Sequence, residues 1–186
     1  MIDKIINEVK DAVIATISGA GDILTALRTT VKDTVVGTLK DAGDIAGSVI
    51  ETTSSVVKGA VTGAASAGTA VAESTADVVG AAISGVSEVG GDIGDAAKGA
   101  VRGAIKGASE VGGDLGQTAV NAVAGTVKSV EDIGGDVANA TKNAVLGAFE
   151  AADEIGDEAG ATVRDALLAS AALPKDIVES AIGKKE

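Results

Sequence analysis

The side chains that could carry chemistry in this chain are of few kinds. Carboxylates number 27 and Lys plus Arg 15, Ser and Thr are plentiful, and there is no His and no Cys. General acid–base work near neutral pH, zinc or haem ligation and thiol catalysis therefore lack their usual residues. A nucleophilic Ser needs a base to activate it, and nothing in the sequence supplies one. The glycines of GVSEVGGDIG, starting at Gly85, imitate part of a dinucleotide fingerprint, but they follow no strand, and no GxxxxGK[ST] occurs. An acidic column, Asp22, Asp44, Glu88, Glu110, Asp132 and Glu154, has Ser66 in its remaining place. It offers no compact set of oxygen ligands with a turn to wrap a cation. With Lys10, Lys32, Lys98, Lys142 and Arg164 at its flank, it reads as a solvated face with occasional ion pairs. The expectation is a non-enzyme with no catalytic, cofactor-binding or metal-binding residues.

What positions these side chains is a repeat. Stepping by 22 residues from Ile17 gives Ile17, Leu39, Val61, Ile83, Ile105, Val127 and Phe149. Three residues on, Ala20, Ala42, Ala64, Val86, Ala108, Val130 and Ala152 follow one another at the same step. The next columns are Ile23, Ile45, Ala67, Val89, Val111, Ile133, Ile155 and then Leu27, Val49, Val71, Ile93, Leu115, Val137, Ala159. Two more complete the set: Val31, Thr53, Thr75, Ala97, Ala119, Thr141, Val163, and Val35, Val57, Val79, Val101, Val123, Val145, Leu167. Of these 42 positions 39 are apolar, three are Thr and none is charged. Six contacts per 22 residues is a helical period, which strand alternation cannot produce. It equals two 11-residue units, the period at which packed helices coil gently right-handed. The apolar set is almost wholly Ala, Val, Ile and Leu, with one Phe, one Met, no Trp or Tyr, and 26 Gly. Such a chain makes thin contacts between closely approaching helices.

Two all-α architectures remain open. In the first, the stripe from the N-terminus to Leu167 is one long, mostly continuous amphipathic helix of seven 22-residue repeats, which sister chains join in a right-handed coiled-coil-like bundle or filament. An unbroken helix of that length would span roughly 250 Å. In the second, helical hairpins break at the paired glycines of EVGGDIG, EVGGDLG and DIGGDVA, where Asp114 with Gln117 has capping-box spacing. Continuity is favoured because the apolar phase passes every GG without a slip. Leu24 and Ala46 also stand where later copies have Gly68, Gly90, Gly112, Gly134 and Gly156. Those five glycines lie beside the stripe and are expected to admit a second backbone closely. If the chain folds back, Gly59 to Gly68 is the expected place. Residues 1–172 form the repeat array, and 173–186 a short helix begun by Pro174, with a tail.

The formal charge of −12, with no cluster of Lys or Arg, argues against nucleic acid and against anionic bilayers as partners. The start MIDKIINEVK lacks the pattern of a secretory signal, and the longest uncharged run, Gly59 to Ala72, is too short and polar to span a bilayer. A cytoplasmic setting is expected.

In VKGAVTGAASAGTAVAEST (Val57 to Thr75) and VNAVAGTVKSVEDIGGDV (Val120 to Val137) the chain resembles the 11-residue-repeat families: late-embryogenesis-abundant proteins, α-synuclein and the exchangeable apolipoproteins. The resemblance, one of period and composition, implies an amphipathic helix that lies on a lipid or other interface, or that orders only when dried or bound. From the residues themselves the leading expectation is a structural protein that self-associates through the Val/Ile/Ala stripe into a bundle, stalk or filament. Such a scaffold could tether another protein. The alternatives are an amphipathic coat on a lipid, granule or gas-compartment surface, or a stress-protective protein.

Overall fold

The computed structural model describes the backbone of residues 2–19, 23–42 and 45–183 and the side chains of residues 4–15, 23–41 and 49–183. Among the described residues there are nine helices and no strand: α1 (Ile2–Gly19), α2 (Ile23–Ala42), α3 (Ile45–Ser66), α4 (Val71–Glu88), α5 (Ile93–Glu110), α6 (Leu115–Asp132), α7 (Val137–Ile155), α8 (Asp157–Ala169) and α9 (Lys175–Ile182). The long continuous helix does not form. From Gly68 onward the chain takes the other course and folds back at the glycines.

The physical reason lies in the turn residues. Gly68, Gly90, Gly112 and Gly134 have φ of 82°, 72°, 69° and 70°, a conformation that side chains with a Cβ rarely adopt. Each closes a helix by the same pair of hydrogen bonds. The Gly91 N–H donates to the Val86 carbonyl at 3.0 Å and the Gly90 N–H to that of Ser87 at 3.1 Å; Gly113 to Ala108 and Gly135 to Val130 repeat the longer loop at 2.8 and 2.9 Å. The Asp after each glycine pair then starts the next helix: Asp92, Asp114 and Asp136 accept from the N–H of Asp95, Gln117 and Asn139 at 2.9, 2.9 and 3.0 Å. A turn of constant length between helices of constant length leaves the apolar phase intact. The helices starting at Val71, Ile93, Leu115 and Val137 accordingly follow one another at 22-residue steps. Phase continuity is therefore no sign of helix continuity. Gly59 to Ser66, part of the stretch expected to fold back, is helical in α3, and the break comes just after it. Leu24 and Ala46 do sit inside helices, near the starts of α2 and α3.

The helices stack in two layers. α1, α3, α5, α7 and α9 pack side by side in one, α2, α4, α6 and α8 in the other, and each helix also packs on its sequence neighbours. No described helix contacts another more than two places away, so the stack is open-ended and quasi-one-dimensional. Along α5, Gly99 and Gly107 come against Ile50 and Lys58 of α3 in the same order, so helices within a layer run parallel. The core is a single cluster whose largest fully buried side chains include Leu27, Leu39, Ile83, Ile105 and Leu167. The three Thr of the apolar columns belong to it without stranding a hydroxyl. Thr53, Thr75 and Thr141 are fully buried and donate to the carbonyls of Val49, Val71 and Val137, one turn back, at 2.5, 2.6 and 2.7 Å.

Candidate functional site

The apolar stripe turns inward within one chain. Leu27, Val35, Leu39, Val49, Val57, Val61, Val79, Ile83, Val101, Ile105, Val123, Val145, Phe149, Val163 and Leu167 are buried. Val89, Ile93, Leu115, Val127 and Val137 are half-buried, the first three and Val137 against the core. Ile23, Val111, Ile133 and Ile155 stand exposed at helix ends, and the side chains of Ile17 and Ile45 lie outside the described residues.

The five glycines expected to admit a second backbone do not. A Cβ placed on Gly68, Gly90, Gly112, Gly134 or Gly156 would meet nothing within 4 Å, because these residues are turns on the rim of the stack. Close approach belongs instead to glycines in mid-helix. A Cβ on Gly99 would lie 2.5 Å from the Ile50 carbonyl oxygen, and one on Gly103 would run into that of Ser54. Gly59 repeats the contact on Ile6 at 2.6 Å and Gly125 on Ala76 at 2.7 Å. Each is a helix laid on the carbonyls of the helix two before it, with only a hydrogen between.

On the outer face of the α3–α5–α7 layer, ion pairs bridge the same helices. Lys58 reaches Glu110 at 2.5 Å, Lys98 reaches Glu150 at 2.7 Å, and Arg102 and Lys106 share Glu154 at 2.5 and 2.6 Å. Glu110 and Glu154 of the acidic column thus pair across the layer. A hydrogen bond from Lys106 foremost, with the charges of Lys106 and Arg102, holds the Glu154 carboxyl below its ordinary pKa against the opposing effect of burial. Glu88 is likewise lowered, and Lys32 raised, by their 2.7 Å pair across the other layer.

That other layer carries a groove of about 420 Å³. Its floor is Ala76, Gly80 and Ser84 of α4; Arg28, Thr29 and Lys32 of α2 form one wall, and Gly125, Lys128, Ser129 and Asp132 of α6 the other. Beside the close approach of Gly125 to Ala76, polar side chains here also span between helices. The Arg28 guanidinium donates to Asp77, through Nε at 2.9 Å. Asn121 Nδ2 donates to the Ala72 carbonyl at 2.7 Å, and Ser129 Oγ to that of Gly80 at 3.1 Å. Three cations and two carboxylates line the groove, and Asp77, the carboxylate nearest its floor, is already engaged by Arg28. The arrangement offers hydrogen bonds and charge for recognition. Among the described residues no three acidic side chains gather as a metal site requires, and no helix is long and apolar enough to cross a membrane. No protein-family model and no curated protein matches the chain.

The sequence reading missed Arg28, Asp77, Asn121 and Ser129 as partners across the layer. Arg28 with Asp77, Asn121 with Ala72 and Ser129 with Gly80 are each 49 residues apart. That separation is no multiple of 22, so aligning columns never sets them side by side. The one visible signal was Arg28 itself, whose column otherwise holds Ile50, Ala72, Gly94, Gly116, Ala138 and Gly160.

Proposed function

We propose that this chain is a non-enzymatic scaffold: a stack of short helices that works by presenting its two outer faces and its ends to other protein surfaces. The observation that carries the reading is that the apolar stripe is buried inside the chain. What remains for outside contacts is a ridged polar surface, grooved over α2, α4 and α6, and the faces of the terminal helices. Stacks of this kind serve as extended binding surfaces because they can lengthen without changing their local packing. A coat on lipid or a granule would need the stripe turned outward, which means opening every contact between layers. The absence of His and Cys supports a role without bond chemistry.

Circular dichroism and light-scattering mass on the purified chain, first in buffer and then with neutral vesicles, test this. The expected result is a cooperative helical fold in buffer that vesicles leave unchanged. A disordered chain that becomes helical only on vesicles would overturn it in favour of the coat.

A further inference from the structure

The groove exists because the outward row of α4 is stripped of side chains that the same row carries elsewhere. Ala76, Gly80 and Ser84 stand 22 residues before Lys98, Arg102 and Lys106 of α5, and 44 after Lys32, Val36 and Lys40 of α2. Packing does not ask for the glycine. A Cβ on Gly80 would meet nothing nearer than Ser129, in ordinary contact at 3.6 Å, whereas one on Gly125 would lie 2.7 Å from the Ala76 carbonyl oxygen. Glycine inside a helix is destabilising relative to Ala, and here it leaves an open floor.

Cations face one another across that floor. Asn121 on Ala72 and Ser129 on Gly80 set α6 against α4, and Arg28 on Asp77 sets α2 against it, all by a 49-residue step. By the same step Lys32 stands level with Ala81 and Lys128 with Val79, so two lysines come from opposite walls to either side of Gly80. Lys32 is held by Glu88 in a pair whose side chains are 43% and 50% exposed. Lys128 is exposed and has no ion-pair partner among the described residues. Arg28 is held to Asp77 through Nε and one Nη, which leaves some of its five N–H donors to spare. Asp77 thus positions the guanidinium, and Arg28, the more exposed of the two, presents it. On the floor Ser129 donates to the Gly80 carbonyl, so the Ser84 hydroxyl, 3.5 Å from that of Ser129, keeps its hydrogen for Ser129 or for a ligand. Asp132 stands level with Ile83, at the end away from Arg28. The groove is therefore cationic at its centre and one end, with a carboxylate at the other.

We infer that this groove binds an acidic segment of a partner protein, one carboxylate lying over Gly80 between Lys32 and Lys128 and a second reaching Arg28. The inference rests on the scaffold reading and names the chemistry of one partner. The groove lies open to solvent, and Ala76 to Ser84 extends about 12 Å, the length of three or four extended residues. Such a trough takes a chain segment, whereas a small ligand is held by a cleft that surrounds it. Hydrogen bonds from Lys and Arg to carboxylates are charge-assisted on both sides, and Asp132 repels a carboxylate from the other end and so fixes which way the segment lies. The rest of the chain, with a formal charge of −12, repels acidic partners, so the groove decides where one can land.

Fluorescence anisotropy of a labelled peptide of six Glu, and of its counterpart of six Gln, titrated with the full chain, tests the inference, with circular dichroism of every variant. The Glu peptide should bind saturably, and the Gln peptide at least tenfold more weakly. Gly80→Leu fills the floor with the side chain that the same row carries at Leu146, and Lys128→Glu reverses one wall. Each should stay helical and weaken binding of the Glu peptide about tenfold or more. Lys175→Glu makes the same change of charge at an exposed place on α9 and should leave binding within about twofold. Equal losses in Lys128→Glu and Lys175→Glu would mean that bulk charge alone is read, and the groove would be abandoned. A helical chain that ignores the Glu peptide, or binds the Gln peptide as well, would overturn the assignment while leaving the scaffold reading intact; a chain without helix in buffer would overturn both. A single-stranded oligonucleotide that binds in place of the peptide, and is lost with Gly80→Leu and Lys128→Glu, would overturn the protein partner in favour of a phosphate backbone.

Discussion

The two layers of this stack are built from one repeat, yet they hold together differently. In the α1–α3–α5–α7 layer glycines set helix backbone on helix backbone, and ion pairs bridge the outer face. In the α2–α4–α6–α8 layer Gly125 makes the same approach to Ala76, but Asp77, Asn121 and Ser129 stand where α5 has Gly99 and Gly107; their side chains join neighbouring helices through hydrogen bonds, and a groove opens over α4. A few substitutions beside the apolar columns thus go with an open, polar groove on one layer and leave the core undisturbed. The core depends on the apolar columns, and the layer surface on the column beside them.

The sharpest way to break the first layer is Gly103→Val. Its Cβ has no room at the Ser54 carbonyl, so α5 and α3 must separate, and chemical denaturation should show a loss of about 3 kcal/mol or more. Gly112→Ala tests the rim, where φ of 69° and not crowding makes glycine necessary. It should lower stability by about 1–2 kcal/mol in the same assay and leave the packing of layers untouched. Asn121→Ala removes a cross-helix hydrogen bond in the grooved layer, and hydrogen exchange and denaturation should register about 1 kcal/mol, confined to α4 and α6. Gly80→Ala should have the opposite sign to Gly103→Val. Its Cβ would make only ordinary contact at 3.6 Å with Ser129, so the gain in helix propensity should dominate, up to about 1 kcal/mol in thermal stability.

The smallest effect is a pH dependence in the sealed layer. Glu154 has its pKa lowered by Lys106 and Arg102, so its contribution is present above the unfolded pKa and is lost as pH falls through the folded one. With its side chain 46% exposed, the pair contributes no more than a few tenths of a kcal/mol. Denaturation of Glu154→Gln against wild type should show this difference near neutral pH and none in acid.

Much of the fold was legible beforehand, residue by residue. The 22-residue columns identify an all-helical chain and the face each helix buries, and Asp114 three residues before Gln117 marked a helix start that the structure shows capped at 2.9 Å. The candidate sites were far less legible. Gly103 and Gly112 are both glycines at fixed places in the repeat, and periodicity cannot tell a residue that admits a neighbouring backbone from one that turns the chain. The misjudged helix continuity has the same origin, since a constant turn between constant helices is invisible to a phase argument.

Local chemistry, by contrast, needed no tertiary information. Where an amphipathic helix can form, which of its residues are apolar and where glycine and aspartate can end one helix and start another follow from backbone sterics and hydrogen-bond capacity within about two turns of chain. Which helix lies beside which was decided only by packing in three dimensions. The 49-residue register that joins Arg28 to Asp77 and Asn121 to Ala72 is set by how side-chain ridges on helices two apart fit together. That fit depends on the shapes of surfaces the repeat brings together only after the chain has folded.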